Sequence, residues 1–394
     1  MTETVLLTGA RTPIGHLAGS LSSFSGTDLG GLAIAEALRR AGIAGESIDY
    51  VYMGQVVMAG AGQVPARQAA LKGGIPLTVP STGINKACPS GLNAIQLAHR
   101  QIVCGEAELV VAGGMESMTQ APYLVLDGRA GYRFGDATMH DSLTYDGLYC
   151  SFHNELMGAG TERYAAAAAI PREPQDRYSA LSHERAARAQ KDGLFDAEIL
   201  PVTVPQRKGD DLTVNSDEGI RVGITAEALA GLPGAFADNG NVTAGNASQL
   251  SDGGAATVIT SRAQAEALGV EPLAEILSYG EVAGPDTSLL TQPSRAAAVA
   301  LERAGLAVSD VDLFEFNEAF AAVALASMAD LSLPEDVVNV NGGAIALGHP
   351  IGMSGARLAV TLAYELKRRG GGIGVAALCG GGGQGDALVL RVRP

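Results

Sequence analysis

The sequence predicts an α/β fold made of two similar halves, with a large insertion inside the first. Three observations predict it: a repeat, the character of the strands, and a stretch without a counterpart. Ala37-Leu38-Arg39-Arg40-Ala41-Gly42-Ile43-Ala44 matches Ala300-Leu301-Glu302-Arg303-Ala304-Gly305-Leu306-Ala307 at an offset of 263 residues (300 − 37). Ile48-Asp49-Tyr50-Val51 then matches Val311-Asp312-Leu313-Phe314, and Ser90-Gly91 pairs with Ser354-Gly355 at an offset of 264. Each copy reads helix, strand, strand–turn–helix, strand. The strands, such as residues 109–114 and 373–380, are too apolar to alternate. Such runs suit a parallel sheet covered on both faces. Two copies imply two α/β layers about a pseudo-dyad, with chemistry where equivalent strand ends meet. The expected divisions are residues 1–119 with 246–271, an inserted subdomain 120–245, and residues 272–394.

Taken in order, residues 79–85 read as the end of a strand, and Leu92, Ile95, His99 and Ile102 recur at helical spacing. Cys88 therefore sits where a strand turns into a helix, with Pro89 suited to the first helical position. The insertion has few strong apolar runs. One clear helix is expected over residues 176–191, closed by Gly193, and the run 165–169 suits a helix by composition. A segment of this size suits a lid or binding subdomain better than a structureless loop. Residues 245–254 read as a polar turn before a strand at 255–259. In the second half, residues 313–316 read as a strand ending at Asn317, and residues 375–378 as one ending at Cys379.

The chain has 394 residues, 47% of them hydrophobic and 18% charged, enough for two or three domains. A net charge of −15 argues against a nucleic-acid surface or an anionic membrane as partner. Cys88, Cys104, Cys150 and Cys379 form no C-x-x-C pair, which argues against zinc and disulfide frameworks. Met1-Thr2-Glu3-Thr4 has no basic leader, and no uncharged run is long and apolar enough to span a bilayer. A cytoplasmic protein is expected.

Four places carry candidate chemistry. At a helix N-terminus, unpaired N–H groups and the helix dipole favour a thiolate at Cys88, although a lone cysteine there also reads as a buried structural residue. His349 lies in Gly348-His349-Pro350-Ile351-Gly352, where an imidazole could deprotonate a thiol or serve only as a turn histidine. Cys379 precedes Gly380-Gly381-Gly382-Gly383. This is either a glycine-rich hairpin with an incidental thiol or a second reactive group beside bare N–H groups able to form an oxyanion hole. Asn317 reads as a helix N-cap or as a group that orients a water or a carbonyl. Two thiols and a histidine at strand ends suggest covalent acyl transfer with proton abstraction.

With these residues in view, the sequence resembles the thiolases along essentially its whole length. The carrying motifs are Asn85-Lys86-Ala87-Cys88-x-Ser90-Gly91, Gly113-Gly114-Met115-Glu116-Ser117-Met118, Asn317-Glu318-Ala319-Phe320, Asn341-Gly342-Gly343-Ala344-Ile345-Ala346-Leu347-Gly348-His349-Pro350 and Cys379-Gly380-Gly381-Gly382. The resemblance implies a layered α/β/α/β/α fold and reversible condensation of two acetyl-CoA to acetoacetyl-CoA and CoA. It implies that Cys88 carries the acyl group, His349 activates it, and Cys379 exchanges the α-proton. It further implies that Asn317 holds a water that, with His349, stabilises the enolate oxygen, and that the N–H groups of Cys88 and Gly381 stabilise the oxyanion. Ser248 resembles a pantetheine contact and Arg221 an adenine-side contact. No permanently bound cofactor or metal is implied; coenzyme A comes and goes as substrate and product, and a homo-tetramer is expected.

Two residues depart from the pattern: Pro89 stands where glycine is common, and Leu156 where acetoacetyl-specific members often carry histidine. Three rivals follow. A broader-chain 3-ketoacyl-CoA thiolase fits the same motifs. A ketoacyl synthase shares the fold, but Cys379 argues against it. A non-catalytic CoA-binding scaffold requires Pro89 to have disabled the nucleophile. The lack of G-x-G-x-x-G after the first strand disfavours a nucleotide oxidoreductase.

Overall fold

The structure, a computed structural model, describes residues 2–394. The first half runs β1 (Thr4–Arg11), α1 (Gly26–Ala41), β2 (Tyr50–Gly54), α2 (Pro65–Lys72), β3 (Ser81–Ile84), α3 (Ser90–Val103) and β4 (Leu109–Ser117). Residues 120–245 contribute α4 (Met157–Ala167), α5 (Arg172–Lys191) and short hairpins before the chain returns as β5 (Ser251–Ser261). The second half runs β6 (Ala274–Ala283), α6 (Gln292–Ala304), β7 (Leu313–Phe316), α7 (Ala321–Asp330), α8 (Ile351–Arg368), β8 (Gly372–Gly380) and β9 (Gln384–Val392). β2 and β7 begin 263 residues apart (313 − 50), as do β4 and β8 (372 − 109), so the sequence repeat is a structural one.

Local chemistry explains the matched ends. Ser25 and Asp28 form a capping box that opens α1, and Gly42 closes it at φ 65°. Gly305 closes α6 in the same left-handed conformation at φ 68°. Helix α5 starts four residues before the expected 176, behind Pro171 as its N-cap, and ends at Lys191 with Gly193 at φ 69°. The alanine run finishes a helix instead of making one: α4 ends at Ala167, and Ala169 is left-handed at φ 53°.

All the long strands join one ten-stranded sheet, in the order β7-β8-β9-β6-β1-β5-β4-β2-β3, with Gly15–His16 paired onto β5 as the tenth strand. The two copies mirror each other across the β1–β6 pairing. The parallel sheet expected from the apolar strands is corrected. Only β2–β3, β2–β4 and β7–β8 are parallel; β1–β5, β1–β6, β4–β5, β6–β9 and β8–β9 are antiparallel. Continuous apolar runs report cover on both faces, whereas connections set direction. Residues 251–254, expected as turn, are the start of β5; Asp252 is buried there and accepts from Thr119 N and Oγ1.

Cover on both faces is what the helices provide. α3 and α8 pack on each other and on both copies of the strands, while α1 and α2 cover one outer face and α6 and α7 the other. The layering is helix, sheet, helix, sheet, helix. Leu92, Ile95 and Ile102 of α3 meet Leu358, Leu362 and Leu366 of α8 in one fully enclosed core. Glycine is required where these helices touch. A Cβ on Gly91 would lie 2.9 Å from Ala356 N, and one on Gly355 2.4 Å from Leu92 N. The contact brings the N-termini of α3 and α8, and so Cys88 and His349, together at the pseudo-dyad.

Candidate active site

Cys88 stands at the end of a tight turn. Asn85 Oδ1 accepts from Ala87 N at 3.1 Å, and Ala87 takes a left-handed φ of 51°. Ser90 Oγ accepts from Lys86 N at 2.9 Å and donates to Ala87 O at 2.5 Å. Lys86 Nζ is paired with Glu281 at 2.7 Å and Asp386 at 2.9 Å, anchoring the turn to β6 and β9. Pro89 is the N-cap of α3, one residue before the expected position, and its ring lies against Gly380. The N–H of Cys88 itself is untouched by Pro89 and, with the N–H of Gly381, points at the Cys88 sulfur.

The charge state of that sulfur differs from the expectation. Burial, aided by the Glu116 carboxylate, pushes the Cys88 thiol up to about 11, although the two N–H groups pull the other way. Desolvation outweighs the helix terminus, so the resting group is a thiol and the thiolate has to be made by a base.

His349 is suited to that work. It follows Gly348, whose φ of 110° only glycine adopts readily, and it is buried. Its backbone N–H is held by Gln249 O and Ser251 Oγ. The hydrogen bonds fix its tautomer. Ser354 Oγ donates to Pro350 O at 3.0 Å, so at its 2.5 Å contact with Nδ1 it must accept, and Nδ1 carries the proton. Asn317 Nδ2 can only donate, so Nε2, 3.3 Å away, presents a lone pair. Burial, then the Arg357 charge, lowers the imidazole to about 3, so it is neutral and able to accept a proton at pH 7.

Asn317 is fully buried at the end of β7, and its N–H binds Ala377 O at 3.0 Å. It is not a helix N-cap, because α7 is capped by Phe320. Its Oδ1 has no partner among the described residues and fits a water or substrate donor. Cys379 is the last residue but one of β8, in a real hairpin with β9, so the hairpin alternative describes the backbone correctly. Its fully buried thiol is held well above the usual range by burial, then by the neighbouring Cys88 sulfur.

Beside these groups lies a cavity of about 150 Å³; Asn317 and Cys379 are not in its wall, Asn317 standing behind His349 and Cys379 next to Cys88. Cys88, His349, Gly381 and Ser248 line it, with apolar walls that include Met118, Leu148, Met157, Phe236, Leu289 and Ile351. Leu156 does not line it; it is 39% exposed, and the next residue, Met157, points in. Ser248 is fixed by its N–H to Ala319 O at 3.0 Å. Arg221 stands apart: exposed, outside the cavity wall, with its backbone N–H on His183 Nδ1 at 3.1 Å.

Sequence reasoning missed several contributors. Ser354 was visible only as the repeat mate of Ser90. Glu116 lay inside a quoted motif without a role. Its carboxylate accepts from Val56 N, Val57 N and Gly352 N, ties the two halves together, and is raised to about 7 by burial. The apolar walls Met157, Phe236 and Leu289 gave no distinguishing signal.

A duplicated α/β fold whose dyad gathers two thiols, a neutral imidazole and two converging N–H groups defines a thiol-centred site of a particular class. Residues 4–263 match the family described as "Thiolase, N-terminal domain", and residues 270–392 match "Thiolase, C-terminal domain". The chain belongs to the thiolase family. It is 56% identical to the "Probable acetyl-CoA acetyltransferase" of Mycolicibacterium smegmatis, over 98% of this chain and all of the relative. It is 48% identical to the "Acetyl-CoA acetyltransferase" of Cupriavidus necator over 99% and 100% of the two chains. Identity to a "Probable acetyl-CoA acyltransferase" of Staphylococcus epidermidis is 47% over 99% of each.

Proposed function

We propose that this chain is an acetyl-CoA C-acetyltransferase, which joins two acetyl-CoA into acetoacetyl-CoA and free CoA, or runs the reverse thiolysis, through an acyl group on Cys88. The observation that carries the reading is that the neutral imidazole of His349 and the Cys88 thiol line one cavity. Nε2 takes the thiol proton as sulfur attacks the thioester carbonyl. The oxyanion forms between the N–H groups of Cys88 and Gly381. The C–S bond to CoA breaks, and the proton on Nε2 passes to the departing CoA sulfur.

In the second half-reaction Cys379 gives its proton to His349 Nε2, and the resulting thiolate takes an α-proton from the second acetyl-CoA. Burial makes that thiolate scarce and strongly basic, which suits a weakly acidic carbon. The water held by Asn317 and the Nε2–H that His349 now carries stabilise the enolate oxygen. The enolate carbon attacks the acyl carbonyl, the C–C bond forms and the bond to Cys88 breaks. The proton on His349 then passes to the Cys88 sulfur, so both thiols and the neutral imidazole are restored.

Residues 120–245 act as the CoA-binding subdomain in this reading, with Ser248 beside the pantetheine and Arg221 toward the adenine end. Four free cysteines suit a cytoplasmic setting. No helix among the described residues is long and apolar enough to cross a membrane. A homo-tetramer has support in the exposed run Tyr123, Leu126, Tyr132, Phe134 and Met139, which leaves large apolar side chains in water. A broader-chain 3-ketoacyl-CoA thiolase is favoured by one observation, the all-apolar wall of Met118, Leu148 and Ile351 beside Cys88.

Intact mass after mixing with acetyl-CoA tests the reading. One acetyl group per chain is expected, mapped to Cys88 and slowed at least tenfold in His349→Ala. No adduct would return the chain to the class of CoA-binding scaffolds.

A further inference from the structure

Glu318 is completely buried, and the partners of its carboxylate are all neutral. Oε1 accepts from Tyr178 Oη at 3.0 Å and Asn339 Nδ2 at 2.8 Å. Oε2 accepts from Ser182 Oγ at 2.7 Å and Ile345 N at 3.1 Å. A buried carboxylate without a cation is costly, and a neutral side chain of similar size would fill the space more cheaply. The four donors come from three places. Tyr178 and Ser182 belong to α5, Asn339 precedes the turn to His349, and Ile345 lies within that turn.

The turn is seated on this carboxylate. A Cβ on Gly343 would lie 2.4 Å from Glu318 Cδ, and Gly343 N donates to Ser182 Oγ at 3.1 Å. Four residues after Ile345 comes His349. On the other side, Glu318 follows Asn317, the donor to His349 Nε2 at 3.3 Å. One buried carboxylate therefore holds both backbones that set the Asn317–His349 contact, and two of its four donors lie on a helix of residues 120–245.

We infer that Glu318 is a positioning residue for the base His349, and that α5, through Tyr178 and Ser182, couples the inserted segment to the geometry of that base. The inference rests on the reading of His349 as the base. Glutamine at this position puts an NH2 group against two of the donors, so the turn must relax. A displacement near 1 Å at a reacting group costs on the order of 100-fold in rate.

The test measures Cys88 acylation by acetyl-CoA, steady-state thiolysis and melting temperature in four variants. Glu318→Gln is expected to lose on the order of 100-fold in kcat and in acylation rate, with KM for CoA within about twofold. Tyr178→Phe and Ser182→Ala, which lie outside the cavity wall, are each expected to lose on the order of tenfold with the same split. They keep the test decisive if Glu318→Gln does not fold. A rise in KM with kcat unchanged, or normal kcat in both α5 variants, overturns the inference. His349→Ala separates the two levels. Normal acylation there sinks the reading of the base, whereas its loss alongside normal Glu318→Gln kinetics sinks only the positioning role.

Discussion

Replacing Cys379 by alanine should separate the two halves of the reaction. The side chain is fully buried beside Leu289, Leu290 and Val323, so removing one sulfur leaves a small cavity and costs about 1–2 kcal/mol of stability, not the fold. Cys88, His349, and the N–H groups of Cys88 and Gly381 stay in place, so acylation of Cys88 should survive within about tenfold. Alanine has no basic atom to receive the α-proton. A positioned general base contributes roughly 10²–10⁴-fold, which is about 3–5 kcal/mol of barrier. Condensation, thiolysis and exchange of the acetyl methyl protons into deuterated water should all fall by that factor. Mass spectrometry reads the acylation, and proton NMR of acetyl-CoA reads the exchange. Near-normal exchange and thiolysis in Cys379→Ala would make the second cysteine a bystander and refute the mechanism.

Three further outcomes are expected. Arg221→Ala should raise the KM for CoA several-fold and spare kcat, because the exposed guanidinium lies outside the cavity beside Cys88; an unchanged KM rejects the contact. Acetoacetyl-CoA should exceed longer 3-ketoacyl-CoA in kcat/KM for thiolysis, and the reverse order would move the reading to the broad-chain class. His183, lowered to about 4 by burial and then the Arg221 charge, takes up a proton on unfolding between about pH 4 and 6.5, so it makes stability rise with pH in that window. His183→Gln should remove up to about 1.4 kcal/mol per pH unit from the slope of unfolding free energy measured by denaturant titration between pH 5 and 6. An unchanged slope would show that His183 is not held neutral.

Much of the site was legible because its signals are local or periodic. The Ala37–Ala44 match, the Ser90-Gly91 and Ser354-Gly355 pair, and the glycines after Cys379 report backbone geometry, which nearby residues dictate. Together they placed Cys88, Asn317 and Cys379 at strand ends of two equivalent units; His349, expected at one, instead follows the short helical turn Ala344–Leu347 ahead of α8. They also showed the duplication, since a repeat needs no knowledge of what packs on it. What required the tertiary structure depends on atoms remote in the chain. Strand direction follows from connections, so apolar strands that read as parallel pair largely antiparallel. The Cys88 thiol is raised and not lowered, because desolvation sums over every element around it and outweighs one helix terminus. The tautomer of His349 is decided by Ser354 and Asn317, on a following helix and another strand. The carboxylate of Glu318 gains its meaning only when Tyr178 and Ser182, at least 136 residues away in sequence, close on it in space.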